Sequence, residues 1–145
     1  MDAVLEKEPR ITVAGIAGPG DPFANPEETL ETMRLLNKKH PHLIFCLSSN
    51  GMGILPYLDD LKELGVSHVT ITISAKVLLD RQLAAIKGLK ERGITVKVNS
   101  IVIPGINDHH ITEVSKLCAE LGADIQNMIP LKPTADTPFA DITEP

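Results

Sequence analysis

Short apolar runs alternate with helix-like segments along the chain, and this alternation restricts the possible folds more than any other feature. The runs are Ile11–Ile16, Leu43–Leu47, Val69–Ile73, Ile94–Ile103 and Ile125–Ile129. Between them, apolar periodicity predicts helices at about 26–39, 54–64, 76–92 and 109–121. A glycine follows three of these helices, at the position where a helix commonly stops. Strand and helix repeating with short connections predict a parallel sheet with right-handed crossovers.

One face of several predicted strands carries polar or small side chains, whereas strands buried on both faces are usually apolar throughout. The polar sets are Cys46 with Ser48; Thr70, Thr72 and Ser74; and Thr95, Lys97 and Asn99. Because helices must cover the apolar faces, the polar faces point towards a lumen or cleft. Five strand–helix units are too few to close an eight-stranded barrel. We therefore predict an α/β fold with a curved parallel sheet, a partial (β/α) barrel.

The first run ends in a glycine-rich turn, Gly15-Ile-Ala-Gly-Pro-Gly-Asp21, and a helix start follows at Asn25-Pro26-Glu-Glu. In open α/β sheets and barrels, ligands bind at this edge, where the strands end. The turn is followed by no Gly-Lys-Ser/Thr, and it lacks the Gly-x-Gly-x-x-Gly dinucleotide pattern. Taken alone, it is equally typical of a tight turn that binds nothing.

Polar groups also follow the other predicted strands. The candidate site residues are Gly18, Pro19, Gly20 and Asp21; Ser49 and Asn50; Ser74; and Asn99 with Ser100. Ser49-Asn50-Gly51 by itself is explained by a turn, but four polar strand ends together favour a site. Uncharged hydrogen-bonding groups suit a neutral or zwitterionic small molecule, and Lys97 is the one cation that strand alternation places in the lumen.

The two cysteines are expected in different environments. Cys46 falls on the polar face of its strand, although a small buried side chain remains an alternative there. Cys118 lies on the apolar stripe of the last helix and is expected to be a core thiol. Neighbouring His109 and His110 diverge by about 100° on a helix, which favours a solvated first turn over a metal site. No cysteine–histidine spacing resembles a zinc site, and no catalytic residue is identified.

Composition narrows the class of protein further. The chain has 145 residues and a net charge of −5 without a basic cluster, which argues against nucleic acid as the main partner. No apolar stretch reaches the roughly 20 residues of a membrane span. The first eight residues are typical of an amphipathic helix rather than a signal peptide, so a cytoplasmic protein is expected. We predict one domain over residues 1–131 and an irregular tail over 132–145.

Several motifs occur in the same order as in one known family. They are Gly15-Ile-Ala-Gly-Pro-Gly-Asp-Pro22, Cys46-Leu-Ser-Ser-Asn-Gly51, His68-Val-Thr-Ile-Thr-Ile73, Val96-Lys-Val-Asn-Ser100 and Ile103-Pro-Gly-Ile-Asn-Asp-His109. The chain resembles the NifB family of radical S-adenosylmethionine enzymes over most of residues 10–131. That family builds the iron–sulfur–carbide precursor of the nitrogenase cofactor from [4Fe–4S] units, on a partial (β/α)6 barrel.

The resemblance implies specific roles. Gly18, Pro19, Gly20 and Asp21 would hold the methionine end of S-adenosylmethionine, and the remaining strand-end residues would line the cofactor site. These are Ser49, Asn50, Ser74, Asn99 and Ser100. Cys46 would be a ligand to an iron–sulfur substrate cluster. The implied cofactors are S-adenosylmethionine and [4Fe–4S] clusters, and the implied partners are cluster substrates and cofactor-assembly carrier or scaffold proteins.

The sequence departs from the family at two places. The Cys-x3-Cys-x2-Cys loop is absent, as if the first βα unit were missing, and a segment of a few dozen residues after Ile73 is absent too. The resemblance implies an enzyme, but without the cluster cysteines the chain is expected to be inactive alone. Two alternatives remain open: a non-catalytic α/β small-molecule-binding module, and an unrelated barrel aldolase or isomerase, for which Lys97 would be the lumen lysine.

Overall fold

The sheet consists of five strands that pair in their order along the chain, each parallel to its neighbours. They are β1 (Val13–Ile16), β2 (Ile44–Ser49), β3 (Val66–Ile73), β4 (Thr95–Val102) and β5 (Ile125–Pro130). The computed structural model describes residues 1–73 and 79–142. The predicted parallel α/β sheet is confirmed, and each of the five apolar runs overlaps one of its strands.

Helices precede, connect and flank these strands. They are α1 (Asp2–Lys7), α2 (Pro26–Lys39), α3 (Leu58–Glu63), α4 (Leu79–Glu91, from the first residue described there) and α5 (Ile111–Glu120). Helices α3 and α5 are shorter than predicted. In each case a 3-10 turn, at Leu55–Tyr57 or Asp108–His110, takes up the first part of the predicted segment. Asn25 occupies the N-cap of α2, but its side chain makes no capping hydrogen bond.

The hydrophobic core lies on the face of the sheet that the helices cover. Its fully buried members include Phe45, Leu47, Ile71, Val96 and Val98 from the strands, and Met33, Leu61, Ile86 and Leu89 from the helices. Each such side chain contributes about 1.5–3 kcal/mol when it leaves water. Aliphatic residues thus hold the sheet and helices together and leave the other face for polar groups.

The opposite face is polar and half-buried, as the alternation predicted. It carries Cys46 and Ser48 on β2; His68, Thr70 and Thr72 on β3; and Thr95, Lys97 and Asn99 on β4. We call it the lumen face. The register sets neighbours across it, with Thr70 beside Lys97 and Thr72 beside Asn99.

An irregularity interrupts the pairing of β2 with β3. Phe45 pairs with Val66, but the next residue, Cys46, pairs with His68, so Ser67 is an extra residue on β3. This bulge breaks the alternation of β3, because Val66 and Val69 are both buried although they are three residues apart. It therefore brings His68 onto the lumen face, directly opposite Cys46.

After β5 the chain forms turns, with no helix or strand within residues 131–142. Leu131 continues the edge of the sheet by one hydrogen bond, its N–H donating to the carbonyl of Val102 at 3.0 Å. Across the described parts of the chain, no helix is long and apolar enough to cross a bilayer.

Candidate functional site

A cavity of about 370 Å³ opens where β1, β2 and β3 end. It is lined by Ala17, Gly18, Gly20, Asp21, Ser48, Ser49, Asn50 and Thr72. Its volume falls in the range of small-molecule sites, about 300–1,000 Å³. Five of the predicted site residues therefore meet around one space: Gly18, Gly20, Asp21, Ser49 and Asn50.

The carboxylate of Asp21 joins the glycine-rich turn to the end of β2. It accepts hydrogen bonds from the Phe23 N–H at 2.9 Å, from the Asn50 N–H at 2.5 Å, and from the Ser49 hydroxyl at 3.0 and 3.2 Å. Three donors from two segments thus engage both carboxylate oxygens. Asp21 therefore fixes the shape of the site through hydrogen bonds from neutral donors.

The turn itself leaves open space for a ligand. Gly18 and Gly20 pair as an isolated bridge around Pro19, and Gly20 has a φ of 106°, which favours glycine. A Cβ placed on Gly18 would meet no heavy atom within 4 Å. A ligand can therefore approach the backbone of the turn closely from the cavity side.

Gln82, on α4, holds the cavity together and was missed by sequence reasoning. Its side chain is 2% exposed, and its Nε2 donates to the carbonyls of Asn50 and Thr72, each at 2.8 Å. It ties the ends of β2 and β3 at the cavity rim. The available signal was a glutamine in the apolar stripe of a helix, between Leu79 and Ile86.

Asn99 and Ser100 lie on opposite faces of β4, and neither lines the cavity. Asn99 is on the lumen face beside Thr72, and its Oδ1 is buried with no partner among the described residues. Ser100 is 3% exposed on the face of Val96 and Val98. Successive side chains of a strand alternate, so Ser100 lies on the covered face as Ser49 does, and its buried hydroxyl has no partner among the described residues.

The remaining strand-end candidates differ in how they relate to the cavity. Ser49 is 5% exposed on the covered face of β2 and reaches the site through its bond to Asp21. Pro19 lies exposed at the tip of the turn. Ser74 falls outside the described residues.

The two cysteines lie on opposite sides of the sheet. Cys46 is half-buried on the lumen face, and Cys118 is 2% exposed in α5, packed in the core. Burial raises the pKa of both thiols. Within the described residues, no group of three or more His, Cys, Asp or Glu side chains is placed to hold a metal ion.

Curated proteins match nine tenths of the chain or all of it. NifB of Chlorobaculum tepidum, a FeMo cofactor biosynthesis protein, is 46% identical over all of this chain and 40% of its own length. The Azotobacter vinelandii protein of that name is 38% identical over 90% of this chain and 31% of its own length. The chain is homologous to NifB. It spans about a third to two fifths of the length of these relatives. No family model matches it.

Solved structures establish the fold independently. A structure of anSMEcpe with bound AdoMet superposes on 92% of this chain with a TM-score of 0.74 at 18% identity, covering 42% of that protein. Methylornithine synthase superposes on 90% of this chain with a TM-score of 0.70 at 14% identity, covering 42% of that enzyme. Like these two structures, the NifB homologue has the partial (β/α) barrel fold predicted from its polar strand faces. The alignment with the Chlorobaculum protein spans 171 positions, so that relative carries residues without counterparts in these 145.

Proposed function

We propose that this chain forms part of the barrel of a radical S-adenosylmethionine enzyme that acts in FeMo cofactor biosynthesis. The cavity at the ends of β1, β2 and β3 is then its S-adenosylmethionine site. The observation that carries the proposal is the convergence of the Gly18–Asp21 turn and the Ser49–Asn50 strand end on one cavity. Homology to NifB over the whole chain supports the assignment.

The residues present suit S-adenosylmethionine. The ligand is a zwitterion at its methionine end, which calls for both hydrogen-bond donors and acceptors, and the cavity offers hydroxyls on Ser48 and Thr72 and the backbone of the glycine turn. The open space over Gly18 gives that backbone room to contact the ligand. When bound, S-adenosylmethionine supplies a 5′-deoxyadenosyl group for radical chemistry. This chain would bind and orient the ligand. Asp21 joins the glycine turn to the end of β2, and Gln82 joins the ends of β2 and β3, so both hold the cavity in shape.

The [4Fe–4S] cluster of such chemistry does not fit the residues of this chain. A cluster is held by several thiolates, and the 145 residues include two cysteines. One lies on the lumen face and the other in the core behind the sheet. These two thiols therefore cannot hold such a cluster together.

Cys46 belongs to the same proposal, as a ligand to an iron–sulfur substrate. It lies two residues before Ser48 on β2, about 7 Å below the cavity at the rise of a strand. A substrate bound there would sit beneath the cofactor, on the same polar face. Carrier or scaffold proteins that deliver it and a cytoplasmic location are further parts of this proposal, supported by the NifB homology alone.

The test is binding of S-adenosylmethionine in equilibrium dialysis at millimolar ligand. Gly18→Val adds bulk to a residue that lines the cavity, at a position where a Cβ would meet no heavy atom within 4 Å, and we expect at least a tenfold loss of affinity. Ala119→Val, on the exposed side of α5, adds similar bulk and should bind as the unmodified chain does. Equal affinity in Gly18→Val, with both variants folded, would overturn the assignment of the cavity.

A further inference from the structure

We propose that Lys97 selects the substrate by charge: its ammonium group neutralises a sulfide-rich anion seated over β3 and donates hydrogen bonds to the sulfides. The inference deepens the proposed function and rests on its placement of the substrate on the lumen face. It assigns no bond to a metal. It identifies the group that favours an anion at this place and orients it from the side of β4.

The lumen face of the described strands carries Lys97 as its one lysine or arginine, and no acidic residue accompanies it. The other side chains of that face are Val13 and Gly15 on β1; Ile44, Cys46 and Ser48 on β2; His68, Thr70 and Thr72 on β3; Thr95, Asn99 and Ile101 on β4; and Ile125, Asn127 and Ile129 on β5. Asp21, at the rim of the cavity, already accepts hydrogen bonds from three neutral donors. The face therefore carries a positive charge that the described part of the protein leaves uncompensated.

The ammonium group of Lys97 has no partner within the described residues, in contrast to a second half-buried lysine. Lys90, whose side chain is 25% exposed, pairs with Asp124 at 2.6 Å. Lys97 is half-buried in the middle of β4 and makes no such bond there. Lysines that lose contact with water are usually paired, because an unpaired charge outside bulk water costs free energy. An anionic ligand would supply the opposite charge that Lys97 lacks.

The register places Lys97 and Cys46 on either side of β3. Ser48, Thr70 and Lys97 form one row across the lumen face, and Ser48 lines the cavity. Cys46 and His68 are paired in the row below. Neighbouring strands lie about 4.8 Å apart, so a ligand resting over β3 reaches β2 on one side and β4 on the other. The flexible stem of a lysine lets its charge follow such a ligand.

Sulfide-rich metal compounds match this position by charge. Sulfide and thiolate ligands are anionic, and an ammonium group offers three N–H donors, whose attraction is stronger where water is excluded. A cationic or purely apolar ligand gains nothing from Lys97. On the other side of Lys97, its partner Ile125 on β5 is 47% exposed, which leaves room for a bulky ligand.

The test measures binding of tetrathiomolybdate, a compact metal-sulfide dianion that absorbs visible light, by equilibrium dialysis without oxygen. The parent and all variants carry Cys46→Ser, so that no cysteine of the lumen face bonds to the probe. We expect Lys97→Met, which keeps the length of the side chain, to weaken binding at least about tenfold, because it removes a charge and its hydrogen bonds. Lys97→Arg keeps the charge and should retain most of the affinity. Lys116→Met, at an exposed lysine of α5, is the matched control and should bind as the parent does.

Two further readouts distinguish the lumen from other lysines. Backbone amide shifts of the isotope-labelled parent should change at Thr70, Lys97 and Ile125 when the probe binds, and stay constant at Lys116. Added sodium chloride should weaken binding, because salt screens the attraction between the two charges.

The outcomes separate this inference from the proposed function. Unchanged affinity in folded Lys97→Met, no probe binding by the parent, or shifts confined to surface lysines overturns the role of Lys97. Loss of S-adenosylmethionine binding in Lys97→Met overturns it too, because the charge then serves the ligand of the cavity. The assignment of the cavity itself is decided by the Gly18→Val variant, and none of the tetrathiomolybdate results bears on it.

Discussion

The Ser49 hydroxyl donates to the Asp21 carboxylate at 3.0 and 3.2 Å, which joins the turn after β1 to the end of β2. Because Asp21 also accepts from two backbone N–H groups, Asp21→Ala leaves three donors without a partner. We expect a loss of about 1–3 kcal/mol in the free energy of unfolding, measured by urea denaturation. The exposed Asp141→Ala serves as the control and should change it little. A loss no larger than in this control would show that the carboxylate does not hold the turn.

Gln82 should be as important as Asp21 for the integrity of the cavity. Gln82→Leu keeps the apolar packing of α4 but removes the donors to the carbonyls of Asn50 and Thr72. We expect a destabilisation of about 1–3 kcal/mol and faster amide exchange at the ends of β2 and β3. Lys87→Leu, on the exposed side of the same helix, controls for the added leucine. If Gln82→Leu is as stable as the unmodified chain, the two hydrogen bonds from Gln82 contribute nothing to stability.

The positions of the two cysteines predict the order in which they react. In the folded chain, a thiol reagent should label Cys46 on the lumen face well before Cys118, which is 2% exposed. Cys118→Ser should cost about 1–3 kcal/mol because it buries a hydroxyl in the core, and Cys46→Ser should change stability little. Mass spectrometry of time-resolved labelling measures the order. Faster labelling of Cys118 would contradict the face assignment and the ligand role of Cys46.

Protonation of Asp124 should lower the free energy of unfolding at acid pH. Its carboxylate accepts from Lys90 Nζ at 2.6 Å and from the Val96 N–H at 2.8 Å, and these bonds lower the pKa of Asp124 in the folded state. The stabilisation is complete above the unfolded value, about 3.9, and is lost as pH falls through the lower folded pKa.

Asp124→Asn should therefore be less stable than the parent at pH 7 by about 1 kcal/mol, a modest value because the side chain is 39% exposed. The difference should shrink as the pH falls below the folded pKa of Asp124. Urea unfolding between pH 2 and pH 7, roughly the range over which carboxyls titrate, measures it. A difference that stays constant across this range would mean that Asp124 contributes no charge-dependent stability.

Much of the fold followed from local patterns, because burial imposes a period on the sequence. The alternation around Cys46 and Thr72 identified the lumen face, and glycine marked the ends of helices. Features that depend on contacts between two distant segments could not be predicted from local sequence patterns. The bulge at Ser67 exists only in the pairing of β2 with β3. The hydrogen bonds from Gln82 to Asn50 and Thr72 depend on where α4 crosses the strand ends. Ser100 was grouped with Asn99 by sequence, and the pairing of the strands places its side chain on the covered face of β4.

Mapping of S-adenosylmethionine onto the isotope-labelled chain by NMR tests the central claim most directly. We expect weak binding, with an affinity poorer than about 1 μM, or −8 kcal/mol, because this chain lacks the cluster iron that would chelate the ligand. At millimolar ligand, backbone amide shifts should change at residues 18, 20 and 21, at 48–50 and at Thr72, which line the cavity. Amides of α2 should not move. Saturating shifts centred elsewhere, or none at millimolar ligand, would contradict the assignment of this cavity as the S-adenosylmethionine site.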